Sequence, residues 1–290
     1  MVKILVTGAD GQLGSEIRRL ADHFQGFQFL FTDINELDLT DQAALAEFVE
    51  KQKPNYFINC AAYTAVDIAE QDTELAAILN TKVPAHLGKL ANNIRARVIH
   101  ISTDYVFDGT SFIPYTENDL VNPESIYGKS KLNGEIALLK EAPTAMVIRT
   151  SWLYSSYGKN FVKTIVKLGE DRDELRVVCD QVGTPTYAGD LAEAILTIIS
   201  KTENQVCEWK PGIYHYSNEG VCSWYDFAKA IHELYGINCL VHPIPSEEYP
   251  TPAARPPYSV LNKSKIKRIF GVQIPYWRDS LKKCITELKN

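Results

Sequence analysis

Val2-Lys3-Ile4-Leu5-Val6-Thr7-Gly8-Ala9-Asp10-Gly11-Gln12-Leu13-Gly14 opens the chain and decides how the rest is read. Residues 2–7 form a short apolar run, the pattern of a strand buried on both faces. Glycines 8, 11 and 14 follow at once, and Leu13, Ile17 and Leu20 then mark a helix. Glycine permits a tight turn and close backbone approach, and the amino end of the helix offers free N–H groups to a diphosphate. The spacing is G-x-x-G-x-x-G rather than G-x-G-x-x-G. A plain strand-to-helix turn would also use glycine, but the position between first strand and first helix favours dinucleotide binding.

Working outward, residues 27–33, 55–60, 97–102 and 144–150 read as further strands, and 42–51 and 73–93 as helices between them. Such alternation predicts an α/β fold with a doubly wound, Rossmann-type parallel sheet, helices on both faces. Ligands of these sheets bind beyond the carboxyl ends of the strands. Residues 1–150 are therefore expected to form the dinucleotide-binding domain. Beyond 151 the alternation loosens, and 151–290 is expected to be mainly a smaller substrate-binding lobe, with some segments returning to the first domain. Helices are expected at 160–169, 189–200 and 223–235, strands at 175–179, 213–217 and 238–244, and two short helices at the end. Residues 243–257 are proline-dense and are expected to wrap a surface or a ligand. His215, His232 and His242 lack metal-ligand spacing and read as core or surface residues. Trp209, Trp224 and Trp277 read as packing anchors.

Each strand end carries polar residues. Asp33 lies at the end of the second strand, about 20 residues past the glycines, where an acid can accept hydrogen bonds from an adenosine ribose. It can equally be a turn aspartate. An acid there disfavours a 2′-phosphate and leans toward NADH without excluding NADPH. Asp38 and Leu39 can meet the adenine; alternatively, Thr40 caps the next helix. Ala61, Ala62, Tyr63 and Thr64 follow the third strand, where small residues let the backbone pass close to a cofactor. Thr103 follows the fourth strand and can reach a carbonyl, or serve only as a turn or cap. Tyr127 and Lys131 stand four residues apart on a helix that Asn122 or Ser125 can cap, so they share one face. A nearby cation eases loss of the phenol proton, and such a pair can act as acid or base.

The 290 residues are 45% hydrophobic and 23% charged, with a net charge of -6, which reads as soluble and globular and offers no polybasic footprint for nucleic acid or membrane. No apolar run is long enough to span a membrane, and no cleavable leader is recognisable. The six cysteines make no C-x-x-C pair and read as free thiols of a cytoplasmic protein.

Several segments together carry a resemblance. They are Gly8-x-x-Gly11-Gln12-Leu13-Gly14, Asn59-Cys60-Ala61-Ala62-Tyr63-Thr64-Ala65-Val66-Asp67 and Ser102-Thr103-Asp104-Tyr105-Val106-Phe107-Asp108-Gly109. Further on come Tyr127-Gly128-Lys129-Ser130-Lys131-Leu132-Asn133-Gly134-Glu135, Arg149-Thr150-Ser151-Trp152-Leu153-Tyr154 and the proline-rich 249–256. In this order they resemble the extended short-chain dehydrogenase/reductase family, and within it the nucleotide-sugar reductases. The implied reaction is NAD(P)H-dependent reduction of the C4 keto group of dTDP-4-dehydro-L-rhamnose to dTDP-L-rhamnose.

By this resemblance Tyr127 donates the proton, Lys131 holds the nicotinamide ribose and keeps the tyrosine acidic, and Thr103 polarises the carbonyl. Gly11, Gln12 and Leu13 lie on the diphosphate, Asp33, Asp38 and Leu39 around the adenosine, and Ala62, Tyr63, Thr64 and Ile101 along the trough. Thr103, Asp104 and Trp152 touch the sugar nucleotide, and Arg255 is assigned to its diphosphate. The family also implies magnesium between subunits. Glu16 and Asp190 are candidate ligands, but they form no compelling cluster, so no metal site is assigned. The expected partner is a nucleotide-sugar substrate, with a homodimer left open.

Two alternatives share the frame. Dehydratases and epimerases keep the tyrosine and lysine, but the dehydratases place Asp-Glu after the threonine, where this chain has Asp104-Tyr105. A non-catalytic, NADP-binding regulatory subunit of methionine adenosyltransferase also resembles this family, but has no need of the intact threonine–tyrosine–lysine trio.

Overall fold

The computed structural model describes residues 1–289. Its centre is a six-stranded parallel sheet. Strand β1 (Val2–Thr7) lies between β2 (Phe27–Thr32), at the edge, and β3 (Tyr56–Asn59). Beyond β3 come β4 (Arg97–Thr103), β5 (Met146–Thr150) and finally Gly212–His215. The register sets Thr7 beside Thr32 and Asn59, and Thr103 beside Thr150, so the carboxyl ends gather at one edge.

Side chains alternate across a strand, and here both faces are covered. Ile4, Val6, Ile58, Ile99 and Ile148 pack on one side with α1 (Gln12–Leu20) and the helix Ala188–Glu203. Leu5, Phe57, Val98 and Val147 pack on the other with α2 (Gln42–Gln52), Val83–Asn93 and Leu138 of Ile126–Glu141. The second half thus contributes both an edge strand and a cover helix to the sheet of the first.

A second core joins Phe161–Asp171, Trp224–Tyr235 and Trp277–Lys289 to the parallel pair Glu174–Val178 and Leu240–Ile244. Trp277 is buried in that core and Trp209 packs edge-on against Tyr56. His215 and His232 are buried, whereas His242 is exposed beside Glu174.

One expected element differs in kind. Residues 73–93 are not one uniform α-helix: Thr73–Ala77 passes through a π-helical turn, Ile78–Lys82, into Val83–Asn93. Pro84 has no N–H to give the carbonyl four residues back, which loosens the ladder there. The widened turn buries Asn80, whose carbonyl presses on Gly134: a Cβ added at Gly134 would sit 1.9 Å from that oxygen. Only glycine allows so close an approach.

Candidate active site

At the carboxyl edge of the sheet, β1 runs into Gly8, whose φ is +66, and a Cβ there would meet Ala61 N at 2.6 Å. Gly14 packs as tightly, with Gly8 O 2.4 Å from its would-be Cβ. Gly11 is the N-cap of α1 and supplies no side-chain cap, so the first-turn amides have no side chain to satisfy them. Asp33 turns its carboxylate back to this loop, accepting the Asp10 N–H at 2.9 Å and the Ile34 N–H at 2.8 Å. Asp38 accepts the N–H and the hydroxyl of Thr40, both at 2.8 Å. The cap of α2 is Asp41, which takes the Ala43 and Ala44 N–H groups, so Thr40 does not fill that role.

The helix Ile126–Glu141 starts at Ser125, whose hydroxyl accepts the Gly128 N–H at 3.1 Å. Asn122 is not its cap. The π-helical turn clamps this helix from behind. Asn80 Nδ2 donates to Ser130 Oγ at 3.0 Å, and Thr81 Oγ1 donates to Ser130 O at 2.9 Å. Lys131, next in sequence, is 2% exposed and donates to Ile101 O at 2.6 Å. Burial pulls its pKa down to about 8, against the raising influence of Glu135. Tyr127 lines the cleft wall, and its desolvation pushes the phenol up to about 12, with the Thr103 hydroxyl opposing. The expected easing by Lys131 is not among the influences on this phenol, which desolvation governs, and the ammonium is directed at Ile101 O.

Thr103 Oγ1 donates to Asp104 Oδ1 at 3.0 Å and accepts the Tyr105 N–H at 3.2 Å. That proton points to Asp104 in this arrangement, and the hydroxyl can turn it to the Tyr127 oxygen instead. Asp104 is 2% exposed, and burial raises its carboxyl to about 6. Among the described residues its Oδ2 has no hydrogen-bond partner, although the Ser259 hydroxyl lies near enough to ease ionisation.

A cleft of about 1030 Å³ runs from the glycine turn to Tyr127 and Trp152. Of the catalytic, cofactor and substrate residues expected from the sequence, all but Gly14, Tyr63 and Arg255 line it. Gly14 supports the loop from below. Tyr63 turns away, its N–H given to Asn80 Oδ1 at 2.9 Å and its hydroxyl to Asp72 at 3.3 Å. Arg255 pairs with Asp67 at 2.7 Å, while its Nη1 is buried with no hydrogen-bond partner among the described residues. Trp152 adopts a φ of +47 and stacks on Trp224, ring centroids 3.6 Å apart, so Trp224 supports the cleft as well as the core. Glu16 and Asp190 are engaged internally, with Ser155 and Arg19 on the first and Asn218 and Ser280 on the second. Among the described residues no group of three His, Cys, Asp or Glu is placed to hold a metal ion.

Glu135 and Arg149 were given no role by the sequence reading. They form a buried pair, 2.7 Å at its shortest, with the Ser102 hydroxyl on the same carboxylate and Phe107 under the guanidinium. The available signal was spacing: Glu135 continues the face of Tyr127 and Lys131 by four more residues.

A family model described as the RmlD substrate binding domain matches residues 2–290. The chain belongs to that family. A dTDP-4-dehydrorhamnose reductase of Aggregatibacter actinomycetemcomitans is 41% identical over 290 residues, covering 97% of this chain and 98% of its own length. A crystal structure of a dTDP-4-dehydrorhamnose reductase from Clostridium acetobutylicum superimposes with a TM-score of 0.93 at 44% identity, covering 100% of both chains. A crystal structure of the dTDP-4-dehydrorhamnose reductase of Bacillus anthracis in complex with NADP has a TM-score of 0.93 at 36% identity, covering 99% of this chain and 100% of that one.

Proposed function

We propose that this chain reduces the C4 ketone of dTDP-4-dehydro-L-rhamnose to give dTDP-L-rhamnose, with NADPH or NADH as reductant. The observation that carries this reading is the convergence of Tyr127, Lys131 and Thr103 in a cleft continuous with the glycine turn. The residues fit a dinucleotide: a cradle at Gly8 that any Cβ would fill, uncapped amides on α1, and a carboxylate at the end of β2. When bound, a reduced nicotinamide supplies the hydride.

The protein's residues orient the sugar and manage the proton. Tyr127, with its pKa near 12, keeps its proton at neutral pH and gives it to the oxygen as that oxygen gains charge. Lys131 holds a positive charge nearby below pH 8 and is the group for the nicotinamide ribose. Thr103 and Asp104 share one proton beside the ketone, and Trp152, backed by Trp224, walls the sugar. Arg255 stays assigned to the substrate diphosphate: its Nη1 is buried without a partner among the described residues, and its other arm would exchange Asp67 for the ligand. Residues 1–150 are assigned to the dinucleotide. Residues 151–290 are assigned mainly to the substrate, with 188–203 and 212–215 returning to the first part.

Tyr105 stands where a dehydratase would need its second acid, and its ring packs edge-on against Tyr127 at 5.5 Å. That argues for reduction over dehydration. The test is NADPH consumption, followed at the nicotinamide absorbance band, with dTDP-4-dehydrorhamnose as substrate. Stoichiometric oxidation supports the proposal. Product formation without net oxidation would favour a dehydratase or epimerase, and dinucleotide binding without turnover would favour a regulatory protein.

A further inference from the structure

Which nicotinamide dinucleotide the cleft accepts turns on the rim beyond β2. Asp33 is fixed there by the Asp10 and Ile34 amides, Glu36 takes the Asp33 N–H at 3.0 Å, and Asp38 follows. Asp10, Asp33 and Asp38 all line the cleft. Carboxylates accept hydrogen bonds from free ribose hydroxyls, but they repel a 2′-phosphate. A rim with only these groups would take NADH and refuse NADPH.

A cation stands beside it, just outside the residues that line the cleft. Arg18 lies on α1, and a long helical side chain leans toward the amino end of its helix. This brings the guanidinium 3.0 Å from Asp10 Oδ1, with its Cζ 5.0 Å from the ring centroid of Phe31, two residues before Asp33. The lysines that line the cleft are elsewhere: Lys131 is beside Ile101, and Lys159 follows Gly158, which packs on Gln12. The Arg18 and Asp10 side chains are 52% and 58% exposed, so their pairing is weak and costs little to exchange. A phosphate carries more charge than a carboxylate and fits the guanidinium fork at least as well.

We propose that Arg18 is the specificity-determining residue that admits the 2′-phosphate of NADPH, and that Asp10 holds it in reserve when NADH binds. The inference rests on the dinucleotide reading above. Arg18 leaves Asp10 for the phosphate, while Asp33 keeps the Asp10 amide, so the turn does not have to move. The chain then uses both dinucleotides through one rim, Asp33 serving the hydroxyls and Arg18 the phosphate.

The experiment is a titration of NADPH and NADH by nicotinamide fluorescence, without sugar nucleotide, on the full chain and on Arg18→Ala, Arg18→Lys and Asp10→Asn. Arg18→Ala should raise the NADPH Kd by roughly ten-fold, the scale of one lost charge-assisted contact, and leave NADH within about two-fold. Arg18→Lys should keep part of the NADPH affinity, and Asp10→Asn should shift the preference further toward NADPH. An unchanged NADPH-to-NADH ratio in Arg18→Ala overturns the proposal. Should that variant not fold, an unchanged ratio in Asp10→Asn overturns it equally. If the unaltered chain binds neither dinucleotide, the dinucleotide reading itself fails.

Discussion

Asp104→Asn should make the protein more stable above pH 6 and a poorer enzyme. The carboxyl is 2% exposed, and burial lifts its pKa from 3.8 to about 6. An acid whose folded pKa exceeds its unfolded pKa binds more protons in the folded state between the two values. Stability therefore falls as pH rises through that window, and the full penalty persists above it. A shift of about two units corresponds to at most about 3 kcal/mol. Asparagine has the same shape and keeps an oxygen to accept the Thr103 proton, but it carries no charge at any pH. Its advantage over the natural chain should be small near pH 4 and should approach the full value by pH 8. Urea unfolding followed by tryptophan fluorescence at several pH values measures the difference directly. On the proposed function the same substitution weakens the charge-assisted contact to Thr103 in the substrate site, so kcat/KM for the sugar nucleotide should fall by about ten-fold. A stability difference that does not grow with pH would refute the reasoning, because it would mean that Asp104 is not held as a buried, ionisable carboxyl.

Tyr127→Phe should reduce turnover by roughly 10²–10⁴-fold while leaving the NADPH Kd little changed; near-normal turnover would remove Tyr127 from the chemistry. Because burial lowers Lys131 to about 8, its charge is present below that pH and lost above it. Activity limited by cofactor should then decline as pH rises through 8, and a level profile up to pH 10 would contradict that. Glu135→Gln leaves Arg149 buried with a weakened partner, and should cost about 3–5 kcal/mol in denaturant unfolding.

The parallel sheet was legible because apolar runs and glycine turns are local signals, and β1 to β5 lie where those runs predict them. Most of the cleft was legible too, since in such a sheet the residues after each strand share one edge. What the sequence did not disclose depends on partners distant along the chain. The π-helical turn arises from Pro84 together with the contact of Asn80 on Gly134, and no window of sequence contains all three. Arg255 was assigned to the diphosphate on the family resemblance and its guanidinium fork, and its pairing with Asp67, far away in sequence, was not foreseen. The fate of the Thr103 proton depended on the direction of the Asp104 carboxyl, which spacing does not specify.

The last strand to join the sheet, Gly212–His215, and the helix Ala188–Glu203 over β1 have a consequence for synthesis of the chain. A ribosome emits residues in order at about 5–20 per second. The nascent amino-terminal half must wait several seconds, its apolar face bare and β5 unpaired on one side, until the later segments emerge. Chaperone dependence should therefore be greatest in that interval, and a truncated gene product ending near Thr150 should aggregate.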